Sequence, residues 1–494
     1  MSRNKKALYL TQQIRLCERL ALEDLEMTEK ELMVSAGTAA FSSLKTLYPD
    51  VRTIAVFCGA GNNAGDGYVL ARLAHHQGYS VVIYAYKAIE DLPALAKEVA
   101  TNAVADGVRC LNLDDVIDSD VELVVDGLLG IGLQGEVHGP IAHAINLINE
   151  SHLPVLALDI PSGLDADTGR ALGACINAAV TITFIAEKVG LYLLDGPDHS
   201  GKVVCHHLHL DNCIAALPPA AYRLDERLLH GTVPRRRKNS HKGIYGHVLI
   251  IGGGAGMPGA PHLAANAALR TGAGMVTVAT LPEHAGRILP QLPEAMIYAI
   301  DDVDSLLPLL AQATVAVIGP GLGESEWAQS LFRAAIAAQL PLVIDASALR
   351  MLAASPQHDD NWVLTPHPGE AASLLACTVD DIQVDRCRAA QLIQQQYGGC
   401  VVLKGVGSVV STEEGETYIC TAGNPGMASA GMGDVLSGVI GGLLAQGVPL
   451  AEAAKFGVWL HARAADEAVS SQGERGLLAS DLMPYIRRQI NKCT

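Results

Sequence analysis

Residues 423–438 set Gly423, Gly426, Gly431, Gly433 and Gly438 around one acidic side chain, Asp434, and then run into an apolar stretch of helical length. Glycine lets a backbone approach a ligand closely. A helix N-terminus behind such a loop presents free N–H groups and about half a positive charge. Anionic oxygens suit that place, and Asp434 stands where a proton has to leave. The chemistry of the pattern is phosphoryl transfer to a hydroxyl. Companion turns follow the β-branched runs upstream. They contain Ala260 behind a glycine-rich stretch, Gly319 to Gly323, Asp345, His367 within Thr365 to Glu370, and Lys404, Gly405, Val406, Gly407 and Ser408. A lysine beside glycines at a strand end suits phosphate contact. No G-x-x-x-x-G-K-[ST] occurs, which excludes a P-loop. Singly, a Pro-Gly pair is a turn signal and a lone histidine is structural. Together, five glycine-rich turns and a terminal Gly433-Asp434 point to a ligand site.

The first half carries a second constellation. Cys58-Gly59-Ala60-Gly61 leads into Asn62, Asn63, Ala64, Gly65, Asp66 and Gly67, a G-x-G-x-x-A pattern between a strand and a helix. That spacing is a weak dinucleotide fingerprint, because Lys87 stands where the next strand should end in an acid. A tight βα turn is the plain alternative. Two more strand ends carry carboxylates: Asp126, followed by Gly130, Ile131, Gly132, Leu133, Gln134, Gly135 and Glu136, and Asp159, followed by Ser162 and Asp165. One Asp at a strand end commonly only caps a helix. Three polar loops at corresponding ends favour a crevice. Asn63, Asp126 and Ser162 offer only hard oxygen donors, which fit an alkali or alkaline-earth cation and not zinc.

The elements that must hold these residues read as alternating strands and helices throughout, the pattern of parallel α/β sheets. Strands are expected at 53–58, 80–86, 123–126, 155–159 and 179–184. In the second half they are expected at 247–252, 275–279, 315–319, 342–345, 362–365 and 401–404. Helices are expected at 10–47, 67–77 and 260–271. At 494 residues the chain exceeds one ordinary core, so two domains are expected, 1–218 and 219–494. The seam falls in 211–242, which holds two prolines in a row and breaks the strand rhythm. Its basic run 235–238 reads as a solvated linker before it reads as a phosphate contact.

Charged residues at 18% and apolar residues at 49% describe a globular chain. A net charge of -17 argues against nucleic-acid partners. It leaves room for phosphorylated small molecules in a locally positive pocket. The 11 cysteines are scattered, odd in number and without a C-x-x-C pair, which favours reduced thiols and a cytoplasmic location. No secretory signal and no membrane span is expected.

The loops of the first half, with Leu32-Met33 and Ala36-Gly37 ahead of them, resemble the YjeF-type N-terminal domain, the NAD(P)H-hydrate epimerase family. Ala64 replaces that family's usual glycine. The resemblance implies a Rossmann-like three-layer domain. It implies a potassium ion at Asn63, Asp126 and Ser162, and substrate contacts at 62–66, at 130–136 and at Asp159. It implies exchange of the R and S forms of hydrated NADH or NADPH (NADHX and NADPHX). Asp159 is the expected acid/base group, and Lys188 is a lesser candidate.

From about residue 241 to 447 the chain resembles the ribokinase-like superfamily and, within it, the ADP-dependent NAD(P)H-hydrate dehydratase family. Ser347 stands where that family commonly has a second aspartate. The resemblance implies a ribokinase-like three-layer domain with the nucleotide at 404–408 and Gly433. It implies hydrated substrate at Ala260, Gly323, His367 and Asp434. Asp434 would be the base, ADP the co-substrate, and magnesium would lie on the phosphates. A homo-oligomer is expected. Two readings compete: a small-molecule kinase of the same fold, and an N-terminal half that only binds. The turn at 365–370 favours a dehydratase, and intact Asn62, Asn63, Asp126 and Asp159 favour an active first half.

Overall fold

A computed structural model describes residues 5–24 and 27–492. The chain forms two compact units, Ala7–Ala221 and a second that begins at Tyr222 and includes Lys5 and Lys6. Among the described residues no helix is long and apolar enough to cross a membrane, and every cysteine is a free thiol.

The first unit is built on a fully parallel sheet. Its strands run Arg109–Asn112, Ser80–Ala85, Thr53–Cys58, Leu123–Gly127, Val155–Leu158, Val180–Phe184 and Lys202–His206 across the sheet. The chain starts at Thr53–Cys58, adds two strands on one side, then returns to place Leu123–Gly127 on the other. That return is a topological switch point, where an open α/β sheet leaves a crevice at its carboxyl ends. Phe57 pairs with Asp126 and Cys58 with Gly127, so the loops after these two strands leave side by side. The central strands are buried on both faces, which explains their unbroken apolar sequence.

The second unit repeats the logic. Its sheet runs Lys6–Leu8, Ala221–Leu224, Thr417–Cys420, Ser408–Ser411, Cys400–Leu403, Trp362–Leu364, Leu342–Ile344, Val315–Ile318, His247–Ile251, Met275–Thr280 and Met296–Ala299. The switch point lies between His247–Ile251 and Val315–Ile318. The helices Gly259–Thr271 and Met432–Ala445 pack against each other at close range. A Cβ on Gly438 would sit 2.1 Å from the Ala264 carbonyl oxygen, so only glycine fits that crossing. Every residue from Val435 to Ala445 is buried, which makes the apolar run a core helix.

The structure departs from the sequence reading in several places. The stretch 62–66 is not a loop: it forms the first turn of the helix Asn62–His76. Residues 10–47 divide into the helices Thr11–Asp24 and Glu29–Leu47, the second opened by a capping box between Thr28 and Glu31. The seam contains a strand, Ala221–Leu224, paired with Thr417–Cys420. The second sheet is not wholly parallel, because Ser408–Ser411 runs antiparallel to both of its neighbours. Several strands also end one residue early. Asp159, Asp345, Thr365 and Lys404 stand just beyond the last ladder residue, free to point into loops.

Candidate active sites

In the first unit the switch-point loops gather the predicted oxygen donors. Asp126 is fully buried. Its carboxylate accepts hydrogen bonds from Ser162 N at 2.8 Å, Ser162 Oγ at 2.6 Å and Leu128 N at 3.2 Å. Burial pushes its pKa up to about 6, against those hydrogen bonds. Asn63 Nδ2 donates to the Leu129 carbonyl at 2.7 Å, while Asn63 Oδ1 is buried with no hydrogen-bond partner. Asn63 and Ser162 both reach the Leu129 carbonyl, so a buried orphan oxygen, a buried carboxylate and a hydroxyl share one loop and are hard donors that could hold a cation.

The turn 130–136 borders this cluster at one end: a Cβ on Gly130 would meet Asn63 Cβ at 3.2 Å. Gly130, Ile131, Leu133 and Gln134 line a cavity of about 120 Å³ together with Thr11, Arg15, Asp165 and Asp167. Gly132 faces Arg15, and Gly135 takes a positive φ. Glu136 lies at the far end, exposed beside Gly173. Ala64 and Gly65 are buried, Gly65 directly against Met33. Asn62 is exposed at the helix start.

Asp159 sits in the left-handed region at φ 63°. Its Oδ1 accepts from Phe184 N at 3.0 Å and from Lys188 Nζ. Lys188 is completely buried and also donates to Thr183 Oγ1 at 2.9 Å and to the Phe184 carbonyl at 2.8 Å. Asp66 lies in the same electrostatic neighbourhood. Burial, then the charges of Asp159 and Glu18, hold its carboxyl well above the usual range. Glu18 is raised for the same reasons, burial first and Asp159 next. The sequence reading missed Glu18, since one glutamate on an amphipathic helix carries no signal.

In the second unit the strand ends bring Asp345, Lys404 and the helix Met432–Ala445 together. Asp345 Oδ1 accepts from Lys404 Nζ at 2.8 Å, and Oδ2 accepts from Ser437 Oγ at 2.6 Å. Burial opposes the charge on Asp345. The Lys404 ammonium and hydrogen bonds from Lys404, Ser437 and Thr365 outweigh it, so its pKa is lowered. Lys404 is likewise raised: burial works against its charge, and Asp345, Glu370 and Asp434 prevail. Asp434 is pushed up to about 7, first by burial and then by the Asp345 charge, with Lys404 pulling the other way.

Gly433 stands over this pair, where a Cβ would meet Lys404 Nζ at 3.3 Å. Gly431 caps the helix at φ 89° against Leu263. Ala260, in the first turn of its own helix, lies against Gly321, and Gly323 faces Met257. His367 is the N-cap of the helix Pro368–Leu375. Its Nδ1 accepts from Gly369 N at 3.0 Å and Glu370 N at 3.2 Å, and Nε2 lies 3.3 Å from Glu370 Oε1. The histidine therefore has a structural task, and 57% of its side chain remains exposed. In the turn after Lys404, Gly405 N donates to Ser408 Oγ at 3.3 Å and Ser408 Oγ donates back to the Gly405 carbonyl at 3.0 Å. Val406 is exposed, and Gly407 has φ 65°. Ser437 went unremarked as a site residue in the sequence, though its place three residues after Asp434 puts it on the same helical face.

The comparisons with known proteins agree with this division. Residues 29–190 match a family model described as YjeF-related protein N-terminus, and residues 248–488 match one described as NAD(P)H-hydrate dehydratase. The bifunctional NAD(P)H-hydrate repair enzyme Nnr of Coxiella burnetii is 46% identical over 98% of this chain and 99% of its own. Among solved structures, a ribokinase-like superfamily protein of Enterococcus faecalis is 29% identical with a TM-score of 0.53, covering 56% of this chain and 98% of its own. The ADP/ATP-dependent NAD(P)H-hydrate dehydratase of Bacillus subtilis, co-crystallised with ATP and magnesium, is 29% identical with a TM-score of 0.50 over 55% of this chain and 98% of its own. The chain belongs to the family of bifunctional NAD(P)H-hydrate repair enzymes, in which a YjeF-related N-terminal domain precedes an NAD(P)H-hydrate dehydratase domain.

Proposed function

We propose that the first unit exchanges the R and S forms of hydrated NADH and NADPH. The second unit then dehydrates the S form at the expense of ADP, releasing NADH or NADPH, AMP and phosphate. The observation that carries this reading is the cluster of Asp434, Lys404, Asp345 and Ser437 at one set of strand ends, beneath a glycine-capped helix N-terminus. Asp434, with its pKa near neutrality, takes the proton of the ring hydroxyl. The freed oxygen attacks the terminal phosphorus of ADP, and AMP leaves. N–H groups of residues 431–433 face the transferred charge. The C–O bond of the phosphate ester then breaks with its electron pair, pushed by the ring nitrogen, and loss of a neighbouring ring proton restores the reduced nicotinamide. Residues 404–408 and Gly433 hold the nucleotide, and Ala260, Gly323 and His367 hold the hydrate. Magnesium would lie on the nucleotide's phosphates, where it would neutralise charge.

In the first unit the ring nitrogen expels the hydroxyl as water, and water returns on the other face. Asp159, held by Lys188, handles the proton. Residues 62–66 and 130–136 hold the nucleotide portion. Potassium fits Asn63, Asp126 and Ser162 because Asn63 Oδ1 lacks any other partner; bound there it would fix the loops of the switch point. The thiols, free among the described residues, support a cytoplasmic setting for this small-molecule chemistry.

The test is to incubate the protein with mixed R and S hydrates, with and without ADP, and to follow the near-ultraviolet absorbance of the reduced nicotinamide. Full recovery with ADP is expected. Absence of recovery removes the dehydratase reading, and consumption of one epimer alone removes the epimerase reading. A kinase of the same fold would instead leave a stable phosphate ester.

A further inference from the structure

Arg386 opens the helix Arg386–Tyr397 and is 2% exposed. Its Nη2 donates to the carbonyls of Lys404 at 3.1 Å and Leu403 at 3.3 Å, and its Nη1 donates to Gln383 Oε1 at 2.8 Å. Its Nε is buried without a partner. Among the described residues Arg386 forms no ion pair. Burial lowers its pKa to about 10, with Cys387 acting the other way.

This is a costly place for a cation. A buried charge needs a counter-charge to offset its lost hydration. The N-terminus of a helix is itself positive and favours acids; Asp385 caps this one by accepting from Arg388 N at 2.8 Å, and it forms no ion pair with Arg386 among the described residues. A buried cation whose hydrogen-bond partners are all neutral, directly behind a candidate site, marks a place where a ligand's charge completes the balance. The guanidinium lies directly under Gly405, where a Cβ would meet Nη2 at 2.7 Å. Because a trans peptide points its C=O and the following N–H in opposite directions, drawing the Lys404 carbonyl onto Arg386 turns the Gly405 N–H to the other side, towards Ser408 Oγ.

We propose that Arg386 is a positioning residue of the nucleotide site. It holds the turn 404–408 from behind, and the phosphates of the bound nucleotide supply its missing counter-charge. This rests on the reading of residues 404–408 as nucleotide contacts. It assigns the turn a second buried cation besides Lys404, one that the ligand senses through the backbone and not by touch.

The experiment compares the wild-type protein with Arg386→Gln and Arg386→Lys by calorimetric titration with ADP and with adenosine, and by steady-state kinetics of dehydration. Arg386→Gln should weaken ADP roughly tenfold or more, the scale of a lost charged interaction, while adenosine affinity, kcat and the KM for the hydrate change little. Arg386→Lys should recover most of the ADP affinity. Retention of adenosine affinity and of kcat for dehydration reports that the second unit is intact. Equal losses for adenosine and ADP, or a fall in kcat with KM for ADP unchanged, would overturn the proposal. If the wild-type protein itself does not bind ADP, the nucleotide reading of 404–408 is what fails, and the proposal falls with it.

Discussion

Lys404 Nζ lies 2.8 Å from Asp345 Oδ1, spanning the ends of the two parallel strands that flank Trp362–Leu364 and 59 residues of sequence. Both side chains are largely buried, at 21% and 2% exposure. The ammonium meets the carboxylate beside the first turn of the helix that carries Asp434, so the pair sets the charge against which Asp434, the proposed base, titrates. Removing one member leaves the other buried and unpaired, at a cost of about 3–5 kcal/mol. Asp345→Ala is therefore expected to destabilise the second unit by that order and to abolish dehydration. Chemical denaturation followed together with epimerase activity checks both, since the first unit should remain active.

Asp434→Asn should lower the dehydration rate by about 10²–10⁴-fold, the usual contribution of a general base, and leave epimer exchange unchanged. The base works only when deprotonated, so the wild-type rate should rise with pH through about 7. The linkage has the opposite sign. A carboxyl raised in the folded state binds its proton more tightly there, so this group's contribution to stability falls as pH rises from its unfolded value through about 7. A pH–rate profile flat from 5 to 9 in matched buffers (roughly two units either side of 7) would remove Asp434 from this role.

Potassium should be required for full epimerase activity and should raise the melting temperature of the first unit, because a ligand that binds only the folded state stabilises it. Asp126→Asn keeps the shape of the site but removes its charge, and should erase both effects. Thermal unfolding in potassium chloride against lithium chloride at equal ionic strength makes the comparison. Equal melting points in the two salts would leave Asn63 Oδ1 without its proposed partner.

Gly438→Ala places a methyl group where the Ala264 carbonyl oxygen is 2.1 Å from the ideal Cβ position. The helix pair must then separate, at an expected cost of about 1–3 kcal/mol for overpacking. The same shift moves the helix that carries Asp434, so kcat should fall with stability. Denaturation midpoints and dehydration kinetics on one preparation test the coupling.

The sequence by itself determined the alternation of strands and helices, the acidic and glycine-rich turns, and which residue types stand at strand ends. Apolar runs bounded by turn residues are local signals, and so is the clustering of Gly431, Gly433 and Asp434. Their resemblance to the two families followed from the same local motifs. The partnerships came only with the tertiary structure. Asp126 finds Ser162 because the strands Leu123–Gly127 and Val155–Leu158 end side by side, and Asp345 finds Lys404 and Ser437 because the strand ends on either side of Trp362–Leu364 meet the helix Met432–Ala445. The helical state of 62–66 and the strand at Ala221–Leu224 were decided in the same way: the helix Asn62–His76 packs on the sheet, and Ala221–Leu224 completes a ladder with Thr417–Cys420. Arg386 shows the limit most plainly. As a letter in the sequence it is one arginine among polar neighbours. Only the folded chain shows that it is buried beneath Gly405, because burial and charge pairing are properties of long-range contact and not of local pattern.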